Sequence, residues 1–208
     1  MWDDQHHCPT CGAPLPIRNR FVRIATCEFC ENVCVIIDGN LKATGRTATL
    51  TSMPTMFRLD ARGELGGRAF TVLGRLRYDH GDGYWDEWFL SFQDGTCGWL
   101  QEDEGNFTYF DRIDITEQAP TYESLRVGDE FYAGEAPVMV TEKGTAVIAG
   151  GEGQLGFLIL PGDNVRYIDG SDGMQKASIE YGNDEVEICM GQAVPRQDLT
   201  VEKDPWEQ

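Results

Sequence analysis

Residues 70–100 read FTVLGRLRYDHGDGYWDEWFLSFQDGTCGWL and contain three of the five tryptophans, Trp85, Trp88 and Trp99. Two turn clusters, Asp79 to Gly83 and Asp94-Gly95, cut the stretch into three runs with apolar residues at alternate positions. Asp-Gly between such runs is a strong hairpin signal, so the pattern predicts a three-stranded antiparallel meander. A turn symmetric about Gly81 sets the expected register: Tyr78 faces Tyr84, Leu76 faces Asp86, Gly74 faces Trp88, Val72 faces Leu90 and Phe70 faces Phe92. On the other side Arg77 then meets Trp85, Arg75 meets Glu87 and Leu73 meets Phe89. These pairs set a missing side chain opposite the largest one and place cations beside a carboxylate and an indole. Asp86 then shares its face with Trp88, Leu76 and Tyr84. A carboxylate there is expected to be partly buried and hydrogen-bonded, to backbone N–H groups or to a side chain from beyond the hairpin.

The same period-2 pattern continues on both sides. Short apolar runs such as 146–149, 156–160, 164–168 and 185–190 alternate with Gly and Asp-Gly turns. Many short strands separated by such turns predict an all-β class, an antiparallel β-domain over 56–195 that is barrel- or sandwich-like. Halves at 56–118 and 119–195 are one way to divide it. The only helical turns expected are at 120–125 or 175–180. Residues 196–208 are polar and read as a frayed tail.

Five of the seven cysteines lie near the start, where Cys8-Pro-Thr-Cys11-Gly12 and Cys27-Glu-Phe-Cys30 stand fifteen residues apart. Each C-x2-C turn offers two thiolates to one ion, and two such turns meet the tetrahedral demand of Zn²⁺. The segment over 1–42 therefore resembles a zinc ribbon holding one structural Zn²⁺ on Cys8, Cys11, Cys27 and Cys30. It departs from many ribbons at Glu31, where glycine is usual. Four protein ligands leave no open coordination position, so the ion is not expected to catalyse. Cys34, in the run Val33 to Ile37, reads as a small buried hydrophobe rather than a further ligand. His6 and His7 read as a solvated tail. Residues 43–55, rich in Thr, Ser and Gly, read as a linker.

The chain of 208 residues carries a net charge of −18. That balance argues against nucleic-acid binding, which rests on Lys and Arg contacts to phosphate, and against an anionic membrane surface. No apolar run is long enough to span a bilayer, and the first residues lack the basic and apolar regions of a signal peptide. A cytoplasmic location is expected, with no direct membrane insertion.

The strings Gly74 to Tyr78, Trp85 to Leu90, Asp94-Gly95 and Trp99-Leu100, followed by Ala177 to Glu180 and Glu185 to Gly191, resemble the family called domain of unknown function 4178. The resemblance spans about 57–194. It implies no established activity. It does imply a setting beside phage-shock-protein-A-like and polyamine-synthesis-like proteins, hence membrane stress.

On the residues alone, catalysis finds weak support. No Walker loop is present, and no G-x-G-x-x-G opens a helix. A dyad of Cys97 with His80 competes with a buried strand cysteine beside a turn histidine. The carboxylates around Asp79 and Asp82 read as hairpin chemistry more than a calcium site. Asp86 and Glu87 are adjacent on one strand and point to opposite faces. Glu180, Glu185 and Glu187 read as a solvated strand edge. The expected function is a zinc-binding, non-catalytic interaction or accessory module that docks a protein partner, phage-shock-protein-A-like in the setting the resemblance implies. Arg75, Arg77, Trp85, Asp86, Glu87, Trp88 and Trp99 are its structural or partner-binding candidates. The alternative is an enzyme using Cys97 or the carboxylates of the β-domain.

Overall fold

The computed structural model describes residues 6–113, 119–182 and 186–203. Fourteen strands make up nearly all of its regular structure, and they join in one antiparallel sheet. The first three belong to the cysteine-rich segment: β1 (Ile24–Thr26), β2 (Asn32–Ile37) and β3 (Asn40–Thr47). The organising stretch supplies β5 (Arg68–Asp79), β6 (Tyr84–Phe92) and β7 (Cys97–Asp103), preceded by β4 (Arg62–Leu65) and followed by β8 (Asn106–Arg112). The rest are β9 (Glu130–Ala133), β10 (Ala136–Leu155), β11 (Asn164–Ser171), β12 (Lys176–Tyr181), β13 (Val186–Ala193) and β14 (Leu199–Val201).

β5 through β8 pair in order, β8 pairs with β13, and β13, β12, β11 and β10 follow. β10 is twenty residues long, so it also reaches β5 and closes a ring of eight strands. Strands from either side of residue 119 thus join one ring. Closure leaves none of these eight as an open edge over its whole length. Inside the ring, Leu76, Tyr78, Phe89 and Ile148 share a core with Phe157 and Ile159. Outside it, Val72, Trp88, Leu90 and Leu100 pack under Phe57, Phe107 and Leu199. A third cluster, built on Phe131, Val138 and Ile168, fills the end formed by β9 to β13.

The cysteine-rich segment is sewn to this ring. Ile24 on β1 pairs with Leu155 on β10, and Ala25 with Gln154. The Gln154 amide donates to the Pro16 carbonyl at 2.8 Å, and its Oε1 accepts the Arg18 N–H at 2.9 Å. Cys8, Cys27, Val33 and Ile24 belong to the same apolar cluster as the ring interior.

Several local expectations change. The meander forms, but its register holds only from Phe70↔Phe92 to Val72↔Leu90. Beyond an irregularity at Leu73 it slips by one, so Gly74 faces Phe89, Arg75 faces Trp88 and Arg77 faces Asp86. Residues 43–47 of the expected linker are strand β3. The expected tail is ordered through Val201, because β14 pairs with β4 and buries Leu199 completely. His6 and His7 are held by their backbones, His7 bridging Pro14 and His6 accepting from the Leu15 N–H. One helical turn expected at 120–125 is a 3₁₀ turn at Tyr122–Ser124, whereas 176–181 is strand.

Candidate functional site

Two knuckles bring the four N-terminal cysteines together. In the first, the Gly12 N–H returns to the Cys8 carbonyl at 2.8 Å; in the second, the Glu31 N–H returns to Cys27 at the same distance. Both turns end in the left-handed region, Gly12 at φ 76° and Glu31 at φ 56°. Glu31 therefore does what glycine does in many ribbons, at some conformational cost. The Sγ atoms of Cys8, Cys11, Cys27 and Cys30 all lie within 4.8 Å of one another, a group that can hold one metal ion. Burial pushes the Cys8 thiol up, but the N–H groups of Cys11 and Thr10 outweigh it and bring the thiol down to about 6. Cys30 has an Asn32 N–H to lower it, yet burial and the neighbouring thiols prevail and lift it to about 12. Crowded thiols resist losing every proton until a cation neutralises them. Cys34 is fully buried, lies outside this group, and is pushed up to about 12 by burial.

The slipped register sorts the hairpin candidates onto two faces. On the outer face Asp86 is 4% exposed and receives both arginines. Arg75 Nη2 donates to its Oδ2 at 2.6 Å, while Arg77 donates from Nε and Nη2 at 2.9 Å. The Arg75 guanidinium also stands over the Trp88 ring, 4.6 Å from its centroid. Asp86 is buried and hydrogen-bonded as expected, but its donors come from within the hairpin. The expected Arg75–Glu87 and Arg77–Trp85 pairs do not form, because the slip turns these residues to opposite faces.

On the inner face, Glu87 accepts from Trp85 Nε1 at 3.1 Å, and Glu180 Oε2 accepts from the Tyr78 hydroxyl at 3.0 Å. Trp85 stacks on Tyr78 at 4.8 Å, so it is not an open face for a partner. Trp85 is half-buried there, whereas Trp99 packs on Phe89 at 4.8 Å and is buried. Glu180 and Glu187 sit on ring strands and line this interior with Glu87 and Asp169, which corrects the expected solvated edge; Glu185 lies outside the described residues. Burial pushes Glu87 up to about 7 and Asp169 up to about 6. The free space among them is about 30 Å³, room for a water molecule or two and not for a substrate. The side-chain period placed Glu187 on one face of its strand, but nothing local could say that the face was enclosed.

Cys97 is half-buried, and burial pushes its thiol up to about 11. His80 lies against Trp85, at the start of β6, while Cys97 pairs with Ser91, six residues along that strand. At strand rise this is about 20 Å, so the two form no dyad. In the hairpin turn, Asp79 accepts the Gly81 N–H at 2.8 Å, as turn chemistry requires.

The family model described as a domain of unknown function, DUF4178, matches residues 58–196. No curated protein and no solved structure matches the chain. No helix among the described residues is long and apolar enough to cross a membrane.

Proposed function

This chain belongs to the family domain of unknown function 4178, and from that premise we propose that it is a non-catalytic accessory module that docks a protein partner and carries one structural Zn²⁺. The observation that carries the docking reading is the outer face of the β9–β10 hairpin. Its inner residues Phe131, Ala133 and Val138 are buried, while Tyr132 and Met139 are 64% and 57% exposed. Pairing of Tyr132 with Pro137, and of Met139 with Glu130, sets all four on one side. Exposed aromatic and methionine side chains beside charge suit a protein interface.

The sulfur geometry supports zinc. Tetrahedral bonds of about 2.3 Å imply sulfur–sulfur edges of about 3.8 Å. Cys8 to Cys30 and Cys11 to Cys27 each measure 3.7 Å. The partner named by the resemblance is phage-shock-protein-A-like, in a cytoplasmic membrane-stress complex. Affinity capture with mass spectrometry tests this, with Tyr132→Asp/Met139→Asp as the paired variant. The reading requires such a partner on the natural chain and its loss on the folded variant. Identical captures from both chains would refute the surface.

A further inference from the structure

The four thiols of the N-terminal knuckles are not equally placed. Cys11 is exposed, Cys30 is half-buried, and Cys8 and Cys27 are buried. The first knuckle is open around Cys11. Pro9, Thr10 and Gly12 are exposed, and nothing lies within 4 Å of where a Gly12 Cβ would stand. The thiols also form two contacts that cross from one knuckle to the other. Cys11 Sγ lies 3.7 Å from Cys27 Sγ, and Cys8 Sγ lies 3.7 Å from Cys30 Sγ. A disulfide needs a separation of about 2 Å, so each sulfur of such a pair has roughly 1 Å to travel. The pair Cys11–Cys27 thus joins the thiol that a solute meets first to one enclosed behind it.

We propose that Cys11 is a site of oxidation by a hydroperoxide, resolved by Cys27 as a disulfide across the two knuckles, and that this modification dismantles the metal site. The inference rests on the zinc reading above, because a thiol that coordinates such an ion has given up its proton and is a nucleophile. The Cys11 thiolate attacks one peroxide oxygen; the O–O bond breaks, hydroxide leaves and Cys11 becomes a sulfenic acid. The Cys27 thiolate then attacks that sulfur; the S–O bond breaks, a second hydroxide leaves and the S–S bond forms. Two electrons pass from the thiolate pair to the peroxide. Cys8 and Cys30 alone do not complete a tetrahedral site, so the chain lets its ion go. A neutral oxidant suits this molecule, whose net charge of −18 opposes anionic ones. Cys27 follows directly on β1, whose Ile24 pairs with Leu155 on β10, so the state of Cys11 is coupled to the seam with the ring.

The experiment treats the full chain with hydrogen peroxide after its zinc has been measured by elemental analysis. Released zinc is read with a colorimetric chelator, and free thiols are blocked before digestion and mass spectrometry. Arg18, Arg20 and Arg23 lie between the knuckles, so trypsin parts Cys8 and Cys11 from Cys27 and Cys30 and a cross-knuckle bond appears as two joined peptides. About one ion should be lost for each peroxide consumed, with Cys11–Cys27 the first linkage to form. Dithiothreitol followed by zinc should restore the starting metal content. Cys97→Ser, outside the cluster, should leave the rate and the linkage unchanged. Slower release in that variant would move the reactive thiol to Cys97 and overturn the proposal. So would a first linkage within one knuckle, or irreversible oxidation of Cys11 without a partner. Zinc bound at the outset but retained through a large excess of peroxide overturns this inference alone, whereas a chain without zinc at the outset overturns the zinc reading with it.

Discussion

Arg23 donates its backbone N–H to the carbonyl of Leu155 at 2.7 Å, and this bond sits at the seam where the cysteine-rich segment continues the main sheet. Beside it, Ile24 and Leu155 are both almost fully buried in one shared cluster. A knuckle that merely hung from a linker would unfold alone. A strand pair with a common core couples the two parts.

Metal removal is therefore expected to act on the whole chain. The protein should purify with one zinc per chain by elemental analysis, and Cys27→Ser should abolish it. Calorimetry should then show the main transition of the β-domain moving to lower temperature, because exposing the Ile24–Leu155 seam costs both sides. An unchanged main transition after chelation would show that the ring is indifferent to the ribbon.

Asp86 accepts hydrogen bonds from two buried arginines at once, each about 5–6% exposed, and Arg75 also has Glu152 at 3.7 Å. Removing one partner of a buried ion pair leaves the other charge without compensation, at a cost of roughly 3–5 kcal/mol. Asp86→Ala should lose stability on that scale in a denaturant titration, with far more effect than a surface carboxylate such as Asp38→Ala. A loss no larger than that of Asp38→Ala would mean that the arginines find water or new partners.

The interior carboxylates set the pH dependence. Burial raises Glu87 from the ordinary carboxylate range to about 7, and Asp169, Glu180 and Glu187 face it with like charge from β11, β12 and β13. The folded state then holds a proton that the unfolded chain releases near 4.5. Its contribution to stability is complete below that pH and fades as pH rises through 7. Glu87→Gln should flatten this decline and raise the melting temperature at pH 8 relative to the natural chain. Equal slopes for both proteins between pH 5 and 8 would place the titration elsewhere.

Local chemistry made much of this protein legible. The paired C-x2-C turns name their four thiols because a knuckle is built within a few residues. Period-2 alternation and Asp-Gly turns announce strands and hairpins for the same reason. The family resemblance rests on such local strings too. What the chain alone did not reveal depends on distant backbone. Gly74 reads as a gap for Trp88 across the hairpin. In the folded protein it makes room for β10 instead: it pairs with Gly153, and a Cβ there would stand 2.2 Å from the Gln154 carbonyl oxygen. That crossing coincides with the irregularity at Leu73, which slips the register, turns Arg75 and Arg77 onto Asp86 and sends Glu87 inward. Closure of the ring likewise enclosed Glu180 and Glu187. Side-chain period determined which residues share a face; only contacts among strands far apart in the chain decided which face met water.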